Sequence, residues 1–319
     1  MVQKPKINQT VLLTGSVAYD RIMNFPGYFK DEIMPDKIHN LNVSFFVEKM
    51  ETGFGGTAGN IAYNLALLGA HPVILARVGA SDFAPYKQWL VKNNITTSHL
   101  MTVKNEHTAS AYIITDRRDN QIAGFFPGAM LEPITRKKVS LPTTALAVVS
   151  AQHPIDMVTL PAIFKKKKIQ YLFDPGQQVT SLSGAQLRLA ITGCMVLIGN
   201  DYEISLISKK TGWSMKQLLG KAGMVVATLA DKGSVLRTGT TLHKIKAAHV
   251  KKVVDPTGAG DAYRAGLIVG LQRGLDLPTS GRLASVVAAY AVEQYGTQRH
   301  HFTWAMVKKR FGQNFKQTL

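Results

Sequence analysis

The run Asp255-Pro256-Thr257-Gly258-Ala259-Gly260-Asp261 carries the residue types that chemistry on an anion needs. Two glycines flank one small residue, a carboxylate follows at once, and the apolar stretch Ala262 to Leu271 reads as a helix. A glycine-bearing turn at a helix start presents several backbone N–H groups to one point, and the helix dipole adds positive potential there. Gly258, Ala259 and Gly260 therefore make a candidate anion hole. Asp261 is badly placed to bind an anion itself and well placed to take a proton from an alcohol attacking one. The combination predicts phosphoryl transfer to a hydroxyl. Taken alone, the same pattern also describes a tight turn with an acidic residue in the first helical turn.

A second, independent constellation separates these readings. Gly53-Phe54-Gly55-Gly56-Thr57-Ala58-Gly59-Asn60 is followed by a helical pattern (Ile61, Ala62, Leu65, Ala66, Leu68) that Gly69 ends. Glycines let backbone approach a ligand closely, and Asn60 offers both a donor and an acceptor. Neither block is a Walker loop, since no Gly-x4-Gly-Lys-Ser/Thr occurs, and the protein-kinase His-Arg-Asp and Asp-Phe-Gly motifs are absent.

The elements that must position these blocks follow from the apolar pattern. Strands are expected at Thr10 to Val17, Val73 to Val78, Leu146 to Ser150, Tyr171 to Asp174, Met195 to Gly199 and Met224 to Leu229. Helices are expected at Thr57 to Leu68, Phe83 to Lys92, Pro154 to Lys166, Gly184 to Ile191 and Tyr202 to Lys209, with a terminal helix at Thr303 to Phe311. The alternation predicts an α/β fold, a central mainly parallel sheet flanked by helices, with ligands beyond the carboxyl ends of the strands. Two stretches break it. Residues from about Arg21 to Thr52 are rich in β and turn types, including Asn42 to Val47. Thr108 to Phe126 reads as a hairpin with arms Ala111–Ile114 and Ile122–Phe126 around a turn at Arg117 to Asn120. Together they form either one small projecting sheet or an edge extension of the main one. No linker or repeat divides the chain, so one domain over 1–319 is expected, with a lid from about 21–52 and 108–128.

Composition bounds the rest. With 319 residues, 45% hydrophobic and 18% charged, the chain can bury a substantial core, and disorder is not indicated. One cysteine, Cys194, excludes an intrachain disulfide and reads as a buried small hydrophobe. Met1-Val2-Gln3-Lys4-Pro5-Lys6 leads into no long apolar leader, and no segment reads as a membrane span, so a cytoplasmic setting is expected. The net charge of +18 is high but scattered. The dense run Lys165 to Lys168 reads as a solvated helix end. No aromatic and basic alternation of the RNA-binding kind occurs, so no nucleic-acid partner is expected. His300-His301 lacks metal-ligand spacing and is assigned no chemistry.

The two glycine blocks, about 200 residues apart and in this order, resemble the first and second motifs of the ribokinase-like (PfkB) carbohydrate and nucleoside kinases. The resemblance runs over nearly the whole chain. Glu293-Gln294-Tyr295-Gly296-Thr297-Gln298 and Leu41 to Phe45 look most like the bacterial adenosine and broad-specificity nucleoside kinases.

The resemblance implies an ATP-dependent kinase that phosphorylates the 5′-hydroxyl of adenosine or a related purine nucleoside. Asp261 would be the base, and Gly258, Ala259 and Gly260 the phosphoryl-binding turn. Asp20, Gly55, Gly56 and Asn60 would hold the ribose, although Asp20 also suits a turn cap. Asn200 and Glu203 resemble the Asn-x-x-Glu motif, implying magnesium held through water and contact with nucleotide phosphates; the same spacing describes a capping box. Thr228, Lys232 and Gly233 look like the nucleotide-binding turn, and Val287 and Ala291 would lie against adenine. Asp255, Thr257, Ala291, Gln294 and Gly296, partly through backbone oxygens, match a monovalent-cation site that some members use for potassium. Pro256 departs from the threonine common in the second motif. Phe45, Phe46, Phe125 and Phe126 are candidates to face the substrate from the lid, and lids of this kind leave monomer and homodimer both open. The rival readings are a sugar kinase of ribokinase or fructokinase type and a basic nucleic-acid-binding protein on a retired kinase scaffold.

Overall fold

The computed structural model describes residues 10–118, 120–136, 139–143 and 146–319. Met1–Lys6 and Asp119, named above, lie outside them. The strands are β1 (Thr10–Thr14), β2 (Ala18–Asn24), β3 (Lys49–Gly55), β4 (His71–Leu75), β5 (Arg77–Gly79), β6 (Met101–Val103), β7 (Ala109–Thr115), β8 (Gln121–Phe126), β9 (Leu146–Val149), β10 (Gln170–Phe173), β11 (Val196–Asn200), β12 (Val225–Thr228), β13 (Ser234–Arg237) and β14 (Leu242–Ile245). The helices are α1 (Phe29–Glu32), α2 (Thr57–Leu67), α3 (Ala84–Lys92), α4 (Pro154–Lys166), α5 (Gly184–Ile191), α6 (Asp201–Thr211), α7 (Met215–Lys221), α8 (Ala259–Gln272), α9 (Leu277–Val292) and α10 (Trp304–Phe315).

Eight strands form the main sheet in the order β14-β13-β12-β11-β10-β9-β1-β4. Six of them, β4 to β12 in that order, run parallel, and β13 and β14 close the edge antiparallel. Parallel strands covered on both faces need apolar residues at every position, which is why Val11, Leu12 and Leu13 are all fully buried. Val11 and Leu13 join a core with residues of α2, α8, α9 and α10, while Leu12 joins one with residues of α4 to α7. The chain winds from β1 outward to β4 on one side and from β9 to β12 on the other, so the winding reverses between β1 and β9, the usual place for a ligand crevice.

Helix starts follow from local chemistry. Ser183 and Gln186 form a reciprocal capping box on α5, and Asp276 accepts the Thr279 N–H at the start of α9. Lys165, from the basic run, donates to the carbonyls of Leu189 and Thr192 at the end of α5, so it completes a helix C-terminus other than its own. Cys194 is buried, which pushes its thiol up to about 12. His300 is also buried; its Nε2 pairs with Asn64 Oδ1, and desolvation holds the ring down to about 4.

A separate four-stranded sheet, β3-β2-β7-β8, carries the two stretches that broke the alternation. It is not an edge extension of the main sheet. The expected hairpin is β7–β8. The β-rich reading of Asn42–Val47 was wrong: those residues have no regular structure, because Phe45 turns in to pack on Phe25 and Phe29, each with centroids 5.0 Å away, while Phe46 stays 80% exposed. The single expected strand Val73–Val78 is two, β4 and β5, which join different sheets. No helix among the described residues is long and apolar enough to cross a membrane.

Candidate active site

Asp261 lies in the first turn of α8, and Gly258 is the N-cap in a left-handed conformation (φ 77°) that only glycine adopts without strain. A Cβ there would also meet Thr297 Cγ2 at 2.9 Å. The turn is pinned from behind by Asp255, whose two oxygens accept N–H groups of Thr257 and Gly296, each at 2.9 Å. Asp261 Oδ2 accepts from Asn60 Nδ2 at 2.9 Å, which joins the two glycine blocks across 201 residues of sequence. Its Oδ1 takes no hydrogen bond among the described residues. Burial pushes the Asp261 carboxyl up to about 6, opposed by the Arg264 cation and the Asn60 hydrogen bond and assisted by the charges of Asp174 and Asp20. A carboxylate with that affinity is mostly ionised at neutral pH and basic enough to accept a proton.

Asp20 stands on β2, paired in register with Gly53 on β3 and Ala111 on β7. Its Oδ2 lies 3.2 Å from Thr297 Oγ1, and burial pushes this carboxyl also to about 6. A Cβ at Gly55 would meet Asp20 Oδ2 at 2.3 Å, so glycine there makes room for the carboxylate. Gly56 (φ 84°) abuts Ser16 and Ala18 and caps α2. A hydroxyl cluster holds that helix start at the strand ends: Ser16 Oγ accepts the Thr57 N–H, and Thr57 Oγ1 pairs with Ser150 Oγ at 2.9 Å. The contacts of Asn60 with Asp261, of Thr297 with Asp20 and of Thr297 with the Gly258 turn therefore draw together the segments that carry the sequence-expected Asp20, Gly55, Gly56, Asn60, Gly258, Ala259, Gly260 and Asp261.

The nucleotide-side expectations fare differently. Asn200 and Glu203 form a reciprocal capping box on α6: Asn200 Oδ1 accepts the Glu203 N–H and Glu203 Oε2 accepts the Asn200 N–H. The amide oxygen of Asn200 is thus committed. Glu203 Oε1 takes no hydrogen bond among the described residues, and desolvation raises the carboxyl with the nearby Asp174 adding to it. This free oxygen fits a water-mediated contact with magnesium, which keeps most of its own waters. Thr228 ends β12 and reaches Gly199 O at 3.5 Å; Lys232 is exposed, and Gly233 turns the chain at φ 90°. Val287 and Ala291 are buried, with Val287 against Gly266 of α8, so they build the helix interface rather than an open adenine surface. Asp255 accepts the N–H groups of Thr257 and Gly296, and Thr257 is exposed.

Two residues escaped the sequence reading. Arg264, one turn beyond Asp261, is buried in an ion pair with Asp174 at the end of β10; Arg264 Nη2 donates to Asp174 Oδ1 at 2.6 Å. Its guanidinium sits so close beneath the turn that a Cβ at Gly260 would meet Nη1 at 2.6 Å. An arginine in an otherwise apolar helical stretch was the available signal. The second is Gln298, whose Nε2 donates to Asn60 Oδ1 and to the Tyr86 hydroxyl.

Two carboxylates facing one space, with backbone donors and a buried cation beside one of them, suit transfer of a phosphoryl group to an alcohol. A family model for the pfkB family of carbohydrate kinases matches residues 14–303, and the chain belongs to that family. It is 32% identical over 315 residues to a nucleoside kinase of Methanothermobacter thermautotrophicus, covering 95% of this chain and 96% of that one. Among solved structures, a Burkholderia thailandensis nucleoside kinase in complex with inosine matches with a TM-score of 0.88 and 33% identity, covering 97% of this chain and 100% of that one. The Methanocaldococcus jannaschii nucleoside kinase, an archaeal member of the ribokinase family, matches with a TM-score of 0.88 and 28% identity over 97% of this chain and 99% of that one. The ribokinase-like fold is thereby established.

Proposed function

We propose that this chain is an ATP-dependent nucleoside kinase that phosphorylates the 5′-hydroxyl of a purine nucleoside, adenosine first, to the 5′-monophosphate. The observation that carries the reading is Asp261: a half-buried carboxylate with one free oxygen, held by Asn60, in the first turn of the helix that Gly258 caps. The nucleoside would lie under the small sheet with its ribose hydroxyls on Asp20, whose planar carboxylate can accept from both members of a cis-diol. Asp261 would take the 5′-hydroxyl proton as the oxygen bonds to the γ-phosphorus of ATP. The bond to the β–γ bridging oxygen breaks, and the N–H groups of the turn stabilise the moving phosphoryl. Arg264 would keep positive charge behind that turn. Glu203 would hold magnesium through water, and the ion, when bound, would neutralise charge on the phosphate oxygens. No step is assigned to potassium. Closure of the small sheet as a lid would exclude water during transfer.

A nucleoside rather than a free sugar is favoured because the sheet offers the site an apolar face. Ile22, Ile113 and Phe125 share the Asp20 side of the sheet by strand register. The relatives named nucleoside kinases support the same choice. The test is ATP consumption with magnesium against adenosine, inosine, guanosine, cytidine, ribose and fructose 6-phosphate, with product mass determined. Purine nucleosides are expected to turn over. Turnover of a free sugar alone would replace the nucleoside reading with the sugar-kinase one.

A further inference from the structure

One unbroken line of hydrogen bonds joins Asp261 to the interior side of α3. Trp89 Nε1 donates to Gln298 Oε1 at 3.0 Å. Gln298 Nε2 donates to Asn60 Oδ1 at 3.0 Å and to the Tyr86 hydroxyl at 2.7 Å. Asn60 Nδ2 donates to Asp261 Oδ2 at 2.9 Å, and the Tyr86 hydroxyl donates to Gly55 O at 2.7 Å.

The direction of this line is forced from its far end. An indole N–H can only donate, so it turns the Gln298 oxygen toward Trp89 and the Gln298 amide nitrogen toward Asn60. Gln298 in turn draws the Asn60 oxygen to itself, and only then does the Asn60 nitrogen face Asp261. Reversing either amide would set oxygen against oxygen or N–H against N–H in a buried site, where such a mismatch is expensive. Gln298 is itself buried, and its backbone is left-handed (φ 57°), a conformation that residues with side chains seldom adopt. That backbone turn aims the amide inward between Asn60, Tyr86 and Trp89.

We propose that Gln298 is a positioning residue for phosphoryl transfer: backed by Trp89, it locks the Asn60 amide so that the base keeps a donor on Oδ2 and presents Oδ1 to the acceptor hydroxyl. This rests on the reading of Asp261 as the base. The Asn60 donor stabilises the ionised carboxylate. Releasing the lock lets Asn60 turn over, Asp261 then holds its proton to higher pH, and less of the base is ready at any given pH.

The experiment compares wild type with Gln298→Met, which keeps the length without the amide, and Trp89→Phe, which keeps an aromatic ring beside Phe54 and Tyr63 but removes the donor. The Asp261 carboxyl is titrated by carbon NMR in aspartate-labelled protein without substrate, its signal identified by its loss in Asp261→Asn. The pH profile of kcat/KM for the nucleoside is recorded beside it. In Gln298→Met the titration midpoint and the acid limb are expected to rise together by about half a unit to one unit, a loss of about 2–5-fold at pH 6 that shrinks toward pH 8. Trp89→Phe is expected to move both in the same direction by less, and serves if Gln298→Met fails to fold. Unmoved midpoints in the folded variants, with normal wild-type turnover, overturn the wiring and leave the kinase reading standing. Moved midpoints in a protein that phosphorylates neither a nucleoside nor a sugar overturn the role in catalysis and the kinase reading with it.

Discussion

Asp261 is a burden on the folded protein at neutral pH. Its folded value of about 6 stands above the ordinary 3.8, so below about pH 3 the group is protonated in both states and costs nothing. The destabilisation grows as pH rises from about 4 to 6 and is nearly complete at pH 7. Asp261→Asn keeps an acceptor for Asn60 Nδ2 and sheds the charge. It is expected to be more stable than wild type by about 1–3 kcal/mol at pH 7 and equal to it at about pH 3, measured by urea unfolding at both. The same variant is expected to lose about 10²–10⁴-fold in kcat. Near-normal turnover would remove Asp261 as the base. Gly55 offers a complementary case. A methyl group there would overlap the Asp20 carboxylate, so Gly55→Ala is expected to raise KM for the nucleoside at least about 10-fold and leave KM for ATP within about 2-fold. Equal losses for both substrates would count against Asp20 as the ribose ligand.

Strand register makes a sharper statement than composition about the small sheet. Phe125 pairs with Ala111, and Ala111 with Asp20, so Phe125 lies on the side of the sheet that faces the site. Phe126 lies on the opposite side by alternation. Phe125→Ala is therefore expected to raise nucleoside KM by about 10-fold, and Phe126→Ala to change it by less than about 2-fold. Matching effects in the steady-state constants would mean that the sheet does not cover the base in this register. Local residue types offer no means of choosing between the two rings, since adjacent phenylalanines differ only through pairing partners far along the chain. What was legible in the sequence is what local pattern controls: α4 and α5 begin and end where their apolar spacing and caps put them, and the glycine turns flank Asp261 and Asn60 as their spacing suggests. Illegible were features that depend on distant partners. The buried cation of Arg264 exists because Asp174 ends β10 beside it, and Gln298 matters because Trp89 stands behind it. Phe45 and Phe46 are equal candidates by sequence to face the substrate, and only the Phe25 and Phe29 rings decide that one packs and the other does not.

At the scale of the whole molecule the net charge of +18 needs a physical role. Exposed lysines 232, 244, 246, 251 and 252 follow the antiparallel edge β13–β14 and the segment that enters the Asp255–Asp261 turn. ATP is a polyanion and a nucleoside is neutral, so a basic field on this side would speed capture of one substrate and ignore the other. Raising ionic strength from about 0.01 M to about 0.1 M shortens the screening length from about 30 Å to about 10 Å. Over that range kcat/KM for ATP is expected to fall by about 3–10-fold and kcat/KM for the nucleoside by less than about 2-fold, with choline chloride as the salt so that no alkali cation is varied. Lys251→Gln combined with Lys252→Gln is expected to flatten the ATP dependence, because these side chains are exposed beside the turn and make no ion pair among the described residues. If both substrates respond alike, the charge does not steer ATP. Tight, salt-sensitive binding to DNA without ATP turnover would instead assign the charge to nucleic acid, where lysines and arginines neutralise phosphates and release counterions.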